Sequence, residues 1–139
     1  VPQACRVMCA FGPGGEGAGP YSMVASVQRF AAQGGVVSWW AGGGASVPLP
    51  VRLSARTRAV VSAASSGLVA FFASPASRGS ALACRCAAGR GLPVLAFPLG
   101  FAGGALPALG ERAWAPAGGA GVWASAWRWV PAQMGLLLG

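Results

Sequence analysis

Residues 67–98 constrain the fold of this chain more than any other stretch. They open with Leu68–Ala73, a short apolar run rich in Val and Phe, which is typical of a strand buried on both faces. A small-residue turn, Ser74–Gly79, leads into Ser80–Ala88, an Ala-rich stretch that the glycines behind it would end as a helix. Leu92–Phe97 is a second apolar run. Strand, turn, helix and strand in this order predict a βαβ unit with two parallel strands.

Strand-like and helical runs also alternate through the rest of the chain. Before the βαβ unit the predicted elements are strand Cys5–Phe11, helix Pro20–Gln33, strand Val36–Ala41 and helix Pro48–Ala64. After it, the predicted elements are a last strand, Arg112–Ala117, and an aromatic segment, Val122–Val130, with Trp123 and Trp127 on one helical face.

This alternation predicts an α/β fold: a single Rossmann-like, three-layer domain with a mainly parallel sheet of four to five strands. The length of 139 residues is that of one domain. Residues 1–110 are expected to form the Rossmann-like domain. Residues 111–139 are expected to add the last strand and a Trp-rich segment packed on the same domain.

The charge of the chain favours a polyanionic partner. All ten basic residues are Arg, the only acids are Glu16 and Glu111, and the formal net charge is +8. Nucleic acid, a nucleotide or an anionic membrane surface would suit this charge. The alternative is that the exposed Arg side chains only keep an apolar protein soluble. The skewed composition is typical of a gene in very GC-rich DNA. An unselected reading frame would share it, but would seldom place strand runs, caps and glycines in working order.

The cysteines indicate free thiols and no metal site. Cys5, Cys9, Cys84 and Cys86 form C-x3-C and C-x-C pairs in a chain without His, and this spacing does not match a zinc site. Free thiols fit a reducing cytosol, and no secretory signal opens the chain, so we predict a cytoplasmic protein. Three charge-free stretches reach membrane-spanning length, but Gly, Pro or Ser interrupt each of them, and this makes a membrane partner the weaker alternative.

Small-residue loops follow three of the predicted strands, and in a parallel sheet such loops share one edge. Glycine lets a ligand approach the backbone there, and free N–H groups at helix starts bind phosphate. The residues predicted to bind a ligand at this edge are Gly12, Gly14, Gly15, Gly42, Gly43, Gly44, Arg52, Arg56, Ser74, Ser77, Arg78, Gly79 and Ser80. For any one loop, tight turns alone would account for the glycines. The usual dinucleotide and P-loop motifs are missing.

The third loop, Ser74–Ser80, is expected to anchor the ligand. It follows a buried strand and opens a helix, so the N–H groups of Arg78, Gly79 and Ser80 should be unpaired at the positive end of the helix dipole. Ser77 and Ser80 would donate hydroxyl hydrogen bonds, and Arg78 would close over an anion. The alternative is that Ser77 and Ser80 only cap the helix.

The region around this loop resembles a known family. Arg56–Thr57–Arg58, the run 67–73 and the segment S-P-A-S-R-G-S that follows it are similar to the Rossmann-like core of the DNA-processing protein DprA/Smf. That core belongs to the superfamily shared with the LOG nucleotide hydrolases. The resemblance is clear over residues 52–98 and faint over 5–46. Thr57 stands where the family has Asn, and the P-G-G-x-G-T motif and glutamate of the LOG hydrolases are missing.

The resemblance implies a bacterial protein that binds a phosphate-bearing ligand, either a nucleotide or single-stranded nucleic acid, without a cofactor or metal and with a possible homodimer. One alternative is a nucleotide-processing enzyme of the LOG type, although Glu16 is the only acid near the predicted crevice and the chain has no His, Asp or Lys. Another is a structural or membrane-associated protein with no ligand. The Trp-rich segment would pack on the sheet or, with Arg128, stack bases.

Overall fold

The computed structural model describes residues 4–20 and 23–130. Its strands are β1 (Arg6–Met8), β2 (Val36–Ser38), β3 (Leu68–Phe72), β4 (Val94–Pro98), β5 (Trp114–Pro116) and β6 (Trp127–Trp129). Its α-helices are α1 (Val24–Ala32), α2 (Leu49–Ala63) and α3 (Arg78–Gly89), and single 3-10 turns span Gly103–Ala105 and Gly121–Trp123. The predicted alternation of strands and helices is confirmed.

The chain divides into two compact units between Ser62 and Ala63. We call them the N-terminal unit and the C-terminal unit. The division predicted at residue 110 stays a prediction. The described strands form two small sheets, a parallel pair in the N-terminal unit and a mixed four-stranded sheet in the C-terminal unit. The architecture is therefore an α/β fold that is only partly Rossmann-like.

The N-terminal unit contains the parallel pair β1 and β2, with α1 between them in the chain. The register joins Arg6 to Val36 and Met8 to Ser38. Both strands are shorter than predicted. Trp40, two residues after the end of β2, adopts a φ of 53°, in the left-handed region, and this turns the chain out of strand geometry.

The C-terminal unit contains a sheet in the order β3-β4-β6-β5, in which β3 and β4 are parallel and the other neighbours antiparallel. Helix α3 packs against β3 and β4. Its buried residues Ala81, Cys84 and Ala87 recur every three positions, and these small side chains let the helix lie close to the sheet.

Two predictions for this unit are wrong. Strand β3 is buried on one face only: Phe72 is fully buried, whereas Phe71 is 58% exposed. The segment Val122–Val130 is not a helix either. It forms a 3-10 turn and strand β6, because residues 127–129 find pairing partners in both β4 and β5. Trp123 and Trp127 therefore do not share a helical face.

Candidate functional site

The Ser74–Ser80 turn of the C-terminal unit is held by its own hydrogen bonds. The Ser77 N–H donates to the Ser74 carbonyl at 3.2 Å, and the Ser74 N–H donates to Ser77 Oγ at 3.1 Å. Ser74 Oγ accepts from the Ala76 N–H at 3.2 Å. Ser80 Oγ donates to the Phe71 carbonyl at 2.6 Å, which ties the start of α3 to strand β3. The turn is thus fixed in shape without a ligand.

The helix that follows this turn begins two residues earlier than predicted, at Arg78. Ser77 occupies the N-cap position, but its hydroxyl makes no capping hydrogen bond. The first bond of the helix runs from the Ala81 N–H to the Ser77 carbonyl at 3.0 Å. Among the described residues, none accepts a hydrogen bond from the N–H groups of Arg78, Gly79 or Ser80. These donors are the groups predicted to bind an anion.

The space in front of these donors is open. A Cβ built at Gly79 would meet no atom within 4 Å. Arg78 is exposed, and its guanidinium makes no hydrogen bond or ion pair with any residue in the described part of the chain. The turn therefore combines three free backbone donors with an unpaired cation.

The first glycine loop, in the N-terminal unit, is wrapped around a carboxylate of its own chain. The Gly12 N–H donates to the Glu16 carbonyl at 2.9 Å, and the Gly14 N–H donates to Glu16 Oε2 at 3.0 Å. A Cβ at Gly14 would lie 2.6 Å from Glu16 Oε1. Glu16 thus stands where a bound anion would stand, and glycine is needed for its carboxylate to come this close. Gly15 has a φ of 88°, which also favours glycine.

The second glycine loop, Gly42–Gly44, lies against helix α2. A Cβ at Gly42 would collide with the backbone carbonyl of Arg52, so this glycine allows loop and helix to pack closely. Gly43 has a φ of 115°, whereas a Cβ at Gly44 would meet nothing within 4 Å. Close packing thus requires glycine at position 42, and the backbone conformation favours it at position 43. Neither reason applies to Gly44.

Arg52 and Arg56 lie one turn apart on α2 but differ in their surroundings. Arg52 is only 5% exposed. Its Nη1 donates to the Ala10 carbonyl at 2.8 Å, its Nε to the Val47 carbonyl at 3.0 Å and its Nη2 to the Gly17 carbonyl at 3.2 Å. The guanidinium also lies 5.3 Å from the centre of the Trp40 ring. Arg52 joins the loops of the N-terminal unit to α2.

Arg56 is half-buried and lines a pocket of about 340 Å³ in the N-terminal unit. The pocket walls come from β1 and the residues after it, from Gly17–Gly19, and from α1 and α2. In the part of the chain that the structure describes, no residue forms a hydrogen bond or ion pair with the Arg56 guanidinium. Sequence reasoning predicted Arg56 but not the pocket. Val27, on the apolar face of α1, lines the pocket.

The Trp-rich segment contributes an exposed aromatic side chain. Trp123 is 46% exposed, and its ring centre lies 5.7 Å from that of Phe97. Trp127 is half-buried in β6 and lies against Gly103. Arg128 follows it in the same strand. A base-stacking role for this segment stays a prediction.

The four cysteines are free thiols, as predicted. Cys9 and Cys84 are buried, whereas Cys5 is exposed. Burial raises the pKa of the Cys84 thiol to about 12, against an opposing effect of the neighbouring Arg85 charge. Residues 4–20 and 23–130 contain no group of three or more side chains that would hold a metal ion.

The predicted site residues thus lie in two sets. Those from Gly12 to Arg56 belong to the N-terminal unit, and those from Ser74 to Ser80 belong to the C-terminal unit. Comparison with protein-family models, with curated proteins and with solved structures found no match. The resemblance to DprA/Smf therefore stays a prediction. Among the described residues, no helix combines the length and the apolar character needed to cross a membrane.

Proposed function

We propose that this protein binds a phosphate-bearing ligand, a nucleotide or single-stranded nucleic acid, with one phosphate held by the Ser74–Ser80 turn. The observation that supports this most directly is the set of unpaired N–H groups of Arg78, Gly79 and Ser80 at the start of α3. A helix start carries a partial positive charge, and its free N–H groups bind phosphate oxygens. The net charge of +8 suits such a partner.

The other two glycine loops are less available to a phosphate. In the first loop, the Glu16 carboxylate already accepts from the Gly14 N–H. In the second, Gly42 is needed for close packing against α2. The proposal therefore assigns the anchoring role to the third loop. Arg52, whose three donors are engaged with carbonyls, is assigned to the scaffold.

Each residue of the turn has a distinct part in the proposal. Gly79 leaves room for the phosphate to reach the backbone, and Arg78 closes over it with a planar pair of donors. Ser77 Oγ accepts one hydrogen bond and keeps its own proton for the ligand. Ser80 is assigned to the scaffold, because its hydroxyl donates to the Phe71 carbonyl.

The proposed fold relation follows from the same loops. Two βαβ units, β1-α1-β2 and β3-α3-β4, each place a small-residue loop after their first strand. Ligand binding at such loops is usual in doubly wound α/β folds. We therefore propose that the protein is an abbreviated Rossmann-like relative of the DprA/Smf and LOG superfamily.

Two variants at the turn test this function. Arg78→Ala removes a charge-assisted hydrogen bond of about 1.5–3 kcal/mol and should weaken AMP or oligonucleotide binding about tenfold to a hundredfold. Gly79→Val should abolish binding with little change in melting temperature, because its side chain occupies the phosphate position and meets no protein atom.

Matched controls lie on the same helix. Arg85→Ala removes another exposed cation of α3, and Gly89→Val adds the same side chain at the far end of the helix, where a Cβ also meets nothing within 4 Å. Affinity and melting temperature are measured for all four variants. If the Arg78 and Gly79 variants bind as tightly as their controls, the turn is only a helix start.

A further inference from the structure

The pocket of the N-terminal unit is lined mostly by apolar side chains. They include Val7, Met8, Val27, Leu49 and Leu53, and none of these five carries a strong hydrogen-bonding group. Its volume of about 340 Å³ lies in the range of about 300–1,000 Å³ that small-molecule sites occupy. Met side chains adapt to apolar ligands of varied shape.

Four backbone carbonyls of this wall are already engaged inside the protein. The Ala10 and Gly17 carbonyls accept from Arg52, at 2.8 Å and 3.2 Å. The Cys9 carbonyl accepts from the Ala41 N–H at 2.9 Å, and the Phe11 carbonyl accepts from the Trp40 N–H at 3.0 Å. A ligand with a polar edge, such as a nucleobase, would lose water here and find no free acceptor at these four carbonyls.

Aromatic stacking does not offset that loss. Phe11 is the aromatic residue that lines the pocket in the described part of the chain, and it is only 7% exposed. Its ring therefore presents no open face to a base. The wall suits a flexible aliphatic group better than a planar polar one.

Arg56 is the charged residue among those that line the pocket. Arg56 is half-buried, and its guanidinium is unpaired among the described residues. A cation next to an apolar cavity is costly unless an anion accompanies it. An anionic group at Arg56 would satisfy this charge and leave the rest of the ligand in the apolar part.

We infer that this pocket binds an amphipathic anion, a small molecule with an aliphatic body and one carboxylate or monophosphate head that pairs with Arg56. The pocket shares no residue with the Ser74–Ser80 turn, and the inference does not depend on the function proposed there. Carboxylate and phosphate heads share the chemistry that the guanidinium recognises, since both accept two parallel hydrogen bonds from its planar fork.

Isothermal titration of the full chain with a series of ligands tests this inference. Octanoate and octyl phosphate are titrated below their micelle concentrations, alongside inorganic phosphate, octanol and AMP. We expect octanoate and octyl phosphate to bind at one per chain and more tightly than the other three. Between butanoate and octanoate, each added methylene should tighten binding about fourfold, because burying one methylene contributes about 0.8 kcal/mol.

Variants of α2 connect this binding to the pocket. Arg56→Gln keeps a polar, unbranched side chain but removes its charge, and should weaken octanoate binding about tenfold to a hundredfold without changing octanol binding. Arg58→Gln is the matched control, because Arg58 is exposed on the same helix and does not line the pocket. Leu53→Trp fills the pocket from a partly exposed position and should block every ligand in the series.

The results separate this inference from its competitors. If AMP binds in this pocket more tightly than octanoate, the inference is wrong and the pocket is a nucleotide site. Octanoate binding that is unchanged by Arg56→Gln, or that does not depend on chain length, would overturn it. Arg78→Ala should leave octanoate binding unchanged, so a failure of the phosphate proposal and a failure of this inference give different results.

Discussion

The buried guanidinium of Arg52 should be the largest single polar contribution to the stability of the N-terminal unit. Hydrogen bonds from a charged donor contribute about 1.5–3 kcal/mol each, but desolvation of the guanidinium offsets a large part of this. Arg52 makes three such bonds, and the one to the Ala10 carbonyl is fully buried while the other two are partly buried. We therefore expect Arg52→Met to lower the free energy of unfolding by about 2–4 kcal/mol. Met keeps the apolar stem and leaves the Ala10 carbonyl without its donor.

Urea denaturation measures this loss, and hydrogen exchange locates it. Protection should fall in residues 10–20 and 41–48, which contain the carbonyls that Arg52 holds. Arg58→Met is the control, because Arg58 is exposed on the same helix. Arg52→Lys should recover only part of the loss, since an ammonium group lacks the planar fork that reaches three acceptors. If Arg52→Met and Arg58→Met have the same unfolding free energy within about 0.5 kcal/mol, the hydrogen bonds do not stabilise the unit as argued.

Two other predictions concern packing and pH. Gly103→Ala should destabilise the protein by about 1–3 kcal/mol, because its Cβ would overlap the Trp127 ring. Gly104→Ala should be tolerated, because a Cβ there meets no atom within 4 Å. Equal melting temperatures for the two variants would contradict this packing. Because burial raises the pKa of the Cys84 thiol from 9.0 to about 12, the unfolded chain loses this proton first, and stability that is complete below pH 9.0 should decline as the pH rises towards 12. Cys84 should contribute a slope of at most about 1.4 kcal/mol per pH unit to the plot of unfolding free energy against pH. Urea unfolding across this pH range measures the slope, and this contribution should be absent in Cys84→Ala.

The order of strands and helices could be predicted because it depends on local signals. Apolar runs of strand length, helical spacing and Gly or Pro breaks lie in the sequence itself, and α2 starts and ends within one residue of the predicted helix. Strand β6 could not be predicted in the same way. The run W-A-S-A-W-R-W fits both helical spacing and strand alternation, and pairing with β4 and β5 decides between them.

The positions of the small-residue loops could be predicted from the sequence, but whether their N–H groups are free to bind an anion could not. Glycine after a strand is visible in the sequence, whereas the position of the Glu16 carboxylate against Gly14 depends on how the first loop folds. Likewise, the N–H groups at the start of α3 are free because the Ser77 hydroxyl accepts from the Ser74 N–H and not from the helix start. Sequence patterns indicate which loops have the right composition, and hydrogen bonds within each folded loop decide which of them have free donors.

Arg52 and Arg56 show how one helix can supply both the scaffold and the recognition of a site. They are four residues apart, so they project from similar sides of α2. Arg52 fixes the Ala10 and Gly17 carbonyls, and both of these residues form the wall of the pocket that Arg56 lines. Loss of Arg52 would therefore loosen the pocket as well as the fold. The two positions should differ in kind: Arg52 variants lower stability and ligand affinity together, whereas Arg56 variants lower affinity alone.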